Sequence, residues 1–338
     1  MDGNGPSEGD NNTIRAWRMP VLGDPWTDMV MKDIPAPSVE AGMVRVEVLA
    51  ADLNFADILQ CQGVYQVKLA PPFTPGMGGV GRILEAGDGV DLQPGDVVVG
   101  PMADGKGAFA QQALMLAEQC TVISETIDPV QAAAVHVTYG TAWFGLHHRG
   151  QLKRGASVLV LAAAGGVGSA AVDLAKLHGC WVIAAASGSK EAACRAVGAD
   201  QFVDYEQDDW YDQVMALTDG RGVDVVYDPV GGRYFDVARR LVAWEGQILI
   251  IGFASGDIPQ APMNHTLVKN YSVVGVHMGG YRKQDPTPFD QCYEQIYRWL
   301  EDGRLHPLID RTVEFAELPQ ALLALQERRI VGRVLMKP

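Results

Sequence analysis

The sequence contains no C-x-x-C spacing and few cysteines of any kind. Its five cysteines are an odd number scattered from position 61 to position 292, so neither a disulfide framework nor a cysteine-bound zinc lobe is expected. Positive charge is also scarce, because 27 Lys and Arg stand against 41 Asp and Glu, a net charge of −14. This charge repels phosphate backbones and anionic lipid, so nucleic acid is not an expected partner.

Long apolar runs are absent as well. No segment approaches the roughly 18 uninterrupted apolar residues of a membrane span, and residues 1–12, MDGNGPSEGDNN, contain no apolar signal-peptide core. We therefore expect a cytoplasmic protein with no membrane partner, beginning with a disordered extension over residues 1–13. A chain of 338 residues that is 48% apolar has room for about two domains, each with its own core.

The pattern of apolar residues differs between the two predicted domains. Residues 14–134 consist of short alternating runs cut by Gly and Pro, which predicts a mostly β domain that residues 277–338 rejoin. Residues 135–276 alternate apolar runs with helical stretches, which indicates βαβ units on a parallel sheet, the doubly wound Rossmann fold. The six predicted strands are 157–162, 181–186, 201–205, 223–228, 247–252 and 272–276.

Two glycine clusters compete as the dinucleotide site. PGMGGVG, residues 75–81, holds the only literal G-x-G-x-x-G, but it comes after a Pro-rich stretch and leads into a strand-like run, so no helix is available to bind a phosphate. AAAGGVG, residues 162–168, lacks the first glycine but stands between a predicted strand and a helix. We therefore predict the dinucleotide site at Gly165, Gly166, Val167 and Gly168.

The turn after the second Rossmann strand predicts which nicotinamide cofactor is bound. An NAD-preferring fold places an acid there, about 20 residues past the glycine turn, whereas this chain reads SGSK. Ser187 and Lys190, with Tyr205 after the third strand, suit a 2′-phosphate, so NADPH is the predicted cofactor. The alternative is a capped helix start at Ser187 or Ser189, with Lys190 in solvent.

With AAAGGVG, SGSK, the Asp-Pro-Val-Gly-Gly of residues 228–232 and the LNFAD of residues 53–57, the chain resembles the medium-chain dehydrogenase/reductase superfamily. It is most similar to the zinc-free quinone oxidoreductases, the zeta-crystallin-like branch. The resemblance implies a GroES-like, mostly β catalytic domain beside the Rossmann domain, and a homodimer.

The resemblance also explains PGMGGVG. Zinc-dependent members of the superfamily carry histidine and glutamate where this chain has Met77 and Gly78, and a cysteine ligand near the position of Asn54. A thioether and a hydrogen atom cannot replace the imidazole and carboxylate of a zinc site. We therefore expect no metal, which limits the acceptor to a quinone or an α,β-unsaturated carbonyl that can take hydride without a Lewis acid.

The resemblance assigns candidate roles to further residues. Asn54, which lies beside the nicotinamide in relatives, and Tyr65, a proton donor in related enoyl-thioester reductases, are the predicted catalytic donors; a turn residue and a packed aromatic are the alternatives. Asp57 is expected to fix the loop backbone. Thr141 matches a position at the nicotinamide end, unless it bonds its own helix backbone. The other predicted cofactor contacts are Val230, Phe253, Ser255 and Arg333, and for Arg333 an arginine in solvent is the alternative.

Taken together, these features predict a zinc-free NADPH-dependent reductase of quinones or activated alkenes. An enoyl-thioester reductase and a cofactor-binding protein without catalytic activity are the alternatives.

Overall fold

The computed structural model describes residues 13–338, which fold into two compact units. The first unit comprises residues 13–123, to which Val313–Arg328 and Met336–Pro338 return, and the second comprises Ser124–Thr312 and Arg329–Leu335. The predicted disordered extension lies outside the described residues except for Thr13, which opens the first strand.

The first unit is a set of antiparallel strands with two short helices. Its elements are β1 Thr13–Arg18, α1 Pro25–Asp28, β2 Val30–Pro35, β3 Met43–Asp52, α2 Phe55–Cys61, β4 Gly78–Ala86, β5 Val97–Pro101, β6 Gln112–Leu116 and β7 Thr121–Val122. β1 pairs with β2, while β3 lies between β4 and β6, and β5 joins β4 to β7. Along β3, Val44, Val46, Val48 and Ala50 are buried at every second position, as the two-residue period of a strand requires.

The second unit is a six-stranded parallel sheet with helices. Its elements are α3 Pro129–Trp143, β8 Ser157–Leu161, α4 Gly166–Leu177, β9 Trp181–Ala186, α5 Glu191–Ala196, β10 Gln201–Asp204, α6 Trp210–Leu217, β11 Val223–Asp228, α7 Gly232–Leu241, β12 Val242–Ile250, α8 Met263–Lys269, β13 Ser272–Gly275, α9 Tyr281–Gln284 and α10 Thr287–Glu301. The strand order is β10-β9-β8-β11-β12-β13, with every neighbouring pair parallel, which is the order of a dinucleotide-binding Rossmann fold. The strand sequence reverses between β8 and β11, where such folds bind ligands.

Three elements complete the chain, and within two of them the chain passes from one unit to the other. β14, Ile309–Glu314, and β15, Arg333–Lys337, each divide between the units, and α11, Leu318–Gln326, belongs to the first. In the first unit, the indole Nε1 of Trp17 donates to the carbonyl of Phe315 at 2.8 Å, which ties this returning segment to β1. None of the helices within residues 13–338 has both the length and the apolar character needed to cross a bilayer.

The predicted fold class is confirmed, and the six predicted strands lie where the sequence placed them. β12 differs most, since it begins at Val242 and ends at Ile250 instead of spanning 247–252. The units differ from the predicted domains in their extent, because residues 124–134, 277–312 and 329–335 lie in the second unit. The reason is the packing of α10 against α3, where the hydroxyl of Tyr297 lies 3.0 Å from Nδ1 of His136.

Candidate functional site

The second unit builds a glycine turn between β8 and α4. Ala162 adopts φ +49°, an unusual backbone conformation for a residue with a side chain, and turns the chain out of the strand. Gly165 is the N-cap of α4, so the N–H groups of Gly166, Val167 and Gly168 open the helix without intrahelical acceptors. A Cβ on Gly168 would lie 2.2 Å from the carbonyl oxygen of Ala162, so only glycine permits this close approach.

Arg333 lies directly against this turn. A Cβ on Gly166 would fall 2.9 Å from Cδ and 3.4 Å from an Nη of Arg333, a residue that is 9% exposed. The segment before Arg333 is fixed by backbone pairing, since the N–H of Gly332 donates to the carbonyl of Ala164 at 2.8 Å. A guanidinium at a helix N-terminus adds positive charge to the positive end of the helix dipole, which creates a strongly anion-attracting position.

Thr138 is a neighbour of this turn that the sequence did not reveal. Its Cγ2 would lie 3.1 Å from a Cβ on Gly166, and its hydroxyl donates to the carbonyl of Ala134. Thr141, the predicted residue, donates its hydroxyl to the carbonyl of Val137 at 2.8 Å, the alternative considered for it. The spacing along α3 could have indicated Thr138, because it precedes Thr141 by about one helical turn.

The turn after β9 carries the residues predicted for the 2′-phosphate. Ser187 precedes a short 3₁₀ turn, Gly188–Lys190, and its side chain makes no capping hydrogen bond. Lys190 is half-buried, and its ammonium forms no ion pair within residues 13–338. The ring of Tyr205 packs against Tyr234, with 4.5 Å between the ring centroids.

The loops after β11 and β12 bring Val230, Phe253 and Ser255 into one neighbourhood. The N–H of Ser255 donates to the carbonyl of Val230 at 3.0 Å, and Phe253 Cδ1 would lie 3.0 Å from a Cβ on Gly231. The buried Asp228 shapes the first loop, because its Oδ1 accepts from the N–H groups of Val230 and Gly231. Burial raises the pKa of the Asp228 carboxyl, and these two hydrogen bonds oppose the shift.

In the first unit, the last four residues of PGMGGVG, 78–81, form the start of a strand. β4 begins at Gly78, and a Cβ on Gly81 would lie 2.6 Å from the side chain of Val46 on β3. A Cβ on Gly79 would lie 2.6 Å from the carbonyl of Ala50. Close approach of two strands therefore accounts for these glycines, and no helix comes after them.

Asn54 opens α2 as its N-cap. Asn54 and Asp57 form a capping box in which Asp57 Oδ2 accepts from the N–H of Asn54 at 2.8 Å. The amide Nδ2 of Asn54 donates to Oδ2 of Asp52 at 2.9 Å. The other carboxylate oxygen of Asp57 accepts from the N–H of Met77, so Asp57 fixes the backbone as expected. The amide plane of Asn54 is therefore held in one orientation.

Tyr65 comes after α2 in the same unit and is half-buried, with its N–H donating to the carbonyl of Leu59. A cleft of about 500 Å³ also belongs to this unit. Its lining combines apolar side chains, among them Met77, Met102 and Leu114, with polar ones such as Gln60. Asn54 and Tyr65 are not among the residues that line it. The twelve other candidate residues all belong to the second unit.

Metal-ligating side chains do not gather in the part of the chain that the structure describes. Within residues 13–338, no three His, Cys, Asp or Glu side chains lie together as a metal site requires. At the position where zinc relatives hold histidine and glutamate, a Cβ on Gly78 would lie 2.9 Å from the Asp52 carboxylate. The absence of metal stays a prediction from Met77 and Gly78.

Comparison with known proteins identifies two matching family models and a set of similar proteins. A family model described as "Alcohol dehydrogenase GroES-like domain" matches residues 40–127, and one described as "Zinc-binding dehydrogenase" matches residues 166–296. The chain is 37% identical to the quinone oxidoreductase-like protein 2 homolog of Nematostella vectensis, over 93% of this chain and 86% of that protein.

Two solved structures are similar over almost the whole chain. The mycobacterial structure complexed with NADPH matches with a TM-score of 0.85 and 26% identity, covering 96% of this chain and 100% of the other. The CurK enoyl reductase matches with a TM-score of 0.83 and 25% identity, covering 97% and 99%. By its fold, its glycine turn and these relatives, the chain belongs to the medium-chain dehydrogenase/reductase superfamily, in the quinone oxidoreductase branch that its sequence indicates.

Proposed function

We propose that the chain is an NADPH-dependent oxidoreductase that transfers hydride to a quinone or another activated alkene, such as an α,β-unsaturated carbonyl, without zinc. The observation that carries the proposal is the buried guanidinium of Arg333 against Gly166 at the N-terminus of α4. Such an arrangement suits a pyrophosphate, and the quinone oxidoreductase relatives support the reaction class.

The residues of the second unit fit a dinucleotide phosphate. The first-turn N–H groups of α4 and the guanidinium of Arg333 would hold the pyrophosphate. Ser187, Lys190 and Tyr205 would hold the adenosine end with its 2′-phosphate, and Val230, Phe253 and Ser255 would line the rest of the site. Thr141 is retained as a candidate at the nicotinamide end, with Thr138 as its neighbour.

The chemistry requires a hydride donor and stabilisation of the oxygen that becomes negative. Bound NADPH supplies the hydride. Asn54 and Tyr65 are the proposed hydrogen-bond donors to the developing enolate or hydroquinone oxygen, a contribution that counts most when the donors are already oriented. The capping box holds Asn54 in that way before any acceptor binds. A conjugated acceptor needs no metal to polarise it, which is consistent with Met77 and Gly78 at the zinc positions.

One assay tests the proposal and separates the alternatives. NADPH oxidation is followed by absorbance with a quinone, an enone and a crotonyl thioester in parallel, and cofactor binding is measured by calorimetry on the same protein. Turnover of the quinone or enone supports the proposal. Turnover of the thioester alone identifies an enoyl-thioester reductase, the activity named for the similar CurK structure. Tight NADPH binding without any turnover identifies a non-catalytic cofactor-binding protein.

We also propose that two copies of the chain form a homodimer through the edge of the Rossmann sheet. β13 is the last strand of that sheet, and β12 is its only neighbour among the described strands. The helix α8 precedes β13 in the chain and contacts β12, and its Leu267 and Val268 are 79% and 78% exposed. An open strand edge with exposed apolar side chains is a surface that pairing with a second copy would cover.

A further inference from the structure

Asp204 brings a carboxylate to the turn that we propose for the 2′-phosphate. It is the last residue of β10 and pairs in register with Ala186, the last residue of β9. A Cβ on Gly188 would lie 2.7 Å from Oδ2 of Asp204 and 3.4 Å from its Cγ. The Asp204 side chain therefore reaches across from the third strand to the SGSK turn. An acid thus stands beside that turn, although the turn's own sequence contains none.

The Asp204 carboxylate is fixed in this position. Its Oδ1 accepts from the N–H of Glu206 at 3.0 Å, and its Oδ2 accepts from the side-chain amide of Gln207 at 3.1 Å. Neither partner is a cation, and Asp204 forms no ion pair within residues 13–338. Its negative charge is consequently not neutralised by the residues around it.

Two positively charged side chains, Lys190 and Arg233, lie at the same end of the proposed cofactor site as the negative charge of Asp204. Lys190, on the turn itself, is also without an ion pair among residues 13–338. Arg233 is exposed and bound to Tyr234, with its guanidinium carbon 4.9 Å from the ring centroid and an Nη 3.1 Å from the hydroxyl. Glu206 and Asp208 act on Arg233 by their charge. Among the carboxylates of Asp204, Glu206 and Asp208, it is that of Asp204 that lies against the SGSK turn.

We propose that Asp204 limits the preference for NADPH, so that the chain also binds NADH at comparable concentrations. The inference rests on the proposed function. A 2′-phosphate is attracted by Lys190 and repelled by Asp204. A ribose diol is neutral and can donate a hydrogen bond to a carboxylate. In other Rossmann folds, this hydrogen bond is the one by which the protein selects NAD over NADP. Lys190 therefore favours the phosphorylated cofactor, and Asp204 favours the unphosphorylated one.

The test measures equilibrium binding of nucleotide fragments, which does not depend on turnover. Asp204→Asn keeps the shape of the side chain and removes its charge. We expect Asp204→Asn to tighten binding of 2′,5′-ADP by about tenfold at low ionic strength, since two nearby charges repel by this order in a partly solvated site. Binding of 5′-AMP should weaken by no more than about twofold, because the asparagine oxygen can still accept from the ribose diol. The gain should shrink in high salt, as a charge effect does and a change of shape does not.

Glu206→Gln is the matched control, because it removes a neighbouring carboxylate that lies beyond the end of β10, two residues after Asp204. Thermal unfolding of each variant verifies that it folds. A selective, salt-dependent gain for Asp204→Asn alone supports the inference. An unchanged ratio of 2′,5′-ADP to 5′-AMP affinity, or the same gain in Glu206→Gln, overturns it while leaving the proposed function intact. If the unmodified protein binds neither NADPH nor NADH, both the proposed function and the proposed role of Asp204 are overturned.

Discussion

Asp57 holds Met77 by a hydrogen bond from the backbone N–H of Met77 to the carboxylate Oδ1, at 2.8 Å. The other carboxylate oxygen accepts the N–H of Asn54 at the same distance. One buried side chain thus joins the loop that carries a proposed catalytic residue to the segment where zinc relatives hold their metal. In this chain, two hydrogen bonds to one carboxylate hold these two segments together.

Replacement of Asp57 by alanine should be strongly destabilising. Two backbone N–H groups would lose their acceptor in a fully buried position, and we expect the free energy of unfolding to fall by about 2–4 kcal/mol. Chemical denaturation measures this quantity. Asp91→Ala, at an exposed position, is the control and should change it by less than about 0.5 kcal/mol. Equal effects of the two substitutions would show that Asp57 has no such role.

Replacement of Arg333 by glutamine should weaken NADPH binding while the fold is retained. The loss of a charge-assisted hydrogen bond to a phosphate is expected to raise the Kd by about 10- to 100-fold. Calorimetric titration measures the Kd, and Arg154→Gln, which removes an exposed arginine of the same unit, is the control. An unchanged affinity in Arg333→Gln would contradict the phosphate-binding role of the α4 turn.

The protein should lose stability in mild acid because of His147. Burial, reinforced by the charge of His178, lowers the pKa of His147 from 6.5 to about 4. The unfolded chain therefore takes up the proton first, so the contribution is complete above pH 6.5 and is lost as the pH falls toward 4. The expected loss is about 3 kcal/mol. Denaturation at a series of pH values should show a flatter profile for His147→Leu than for His277→Leu, which removes an exposed imidazole.

The oligomeric state should depend on α8. Val268→Asp places a charge on the proposed dimer surface, and we expect sedimentation to change from a dimer to a monomer without loss of secondary structure. Val21→Asp alters an apolar residue that is 56% exposed in the first unit and serves as the comparison. A dimer that survives Val268→Asp would exclude this surface.

Chelation should not affect the proposed activity. Because Met77 and Gly78 supply neither imidazole nor carboxylate, we expect NADPH-dependent turnover to be the same after prolonged treatment with a chelator. Elemental analysis of the purified protein should find far less than one zinc per chain. Loss of turnover on chelation, with recovery on adding zinc, would require a metal site that the sequence does not indicate.

Local sequence was sufficient to predict much of this fold. A strand can be predicted from the sequence where a run of apolar residues lies between two turns. The glycine turn at Gly165 can be predicted because it lies between a predicted strand and a predicted helix. The position of the glycine turn at the start of α4 could be predicted from this local order alone. For the same reason, PGMGGVG could be set aside, since the residues after it alternate with the period of a strand.

Contacts between distant segments could not be predicted in this way. Helical spacing places Thr138 about one turn before Thr141, but it does not show that the Thr138 methyl group faces Gly166. Asp204 reaches the SGSK turn only because β10 pairs with β9. The placement of α10 in the second unit depends on Tyr297 meeting His136, a contact between residues far apart in the chain. These relationships arise from packing, whose partners a local pattern does not specify.

The pairing of Gly332 with Ala164 has a consequence for the order in which the protein is made. Synthesis runs from the N-terminus, so all six strands of the Rossmann sheet, which ends at Gly275, are available before Arg333 has been added. A nascent chain can build the sheet and the glycine turn while the guanidinium beside that turn is still missing. The contact between Arg333 and the turn at Gly166 is therefore among the last contacts of the second unit to form.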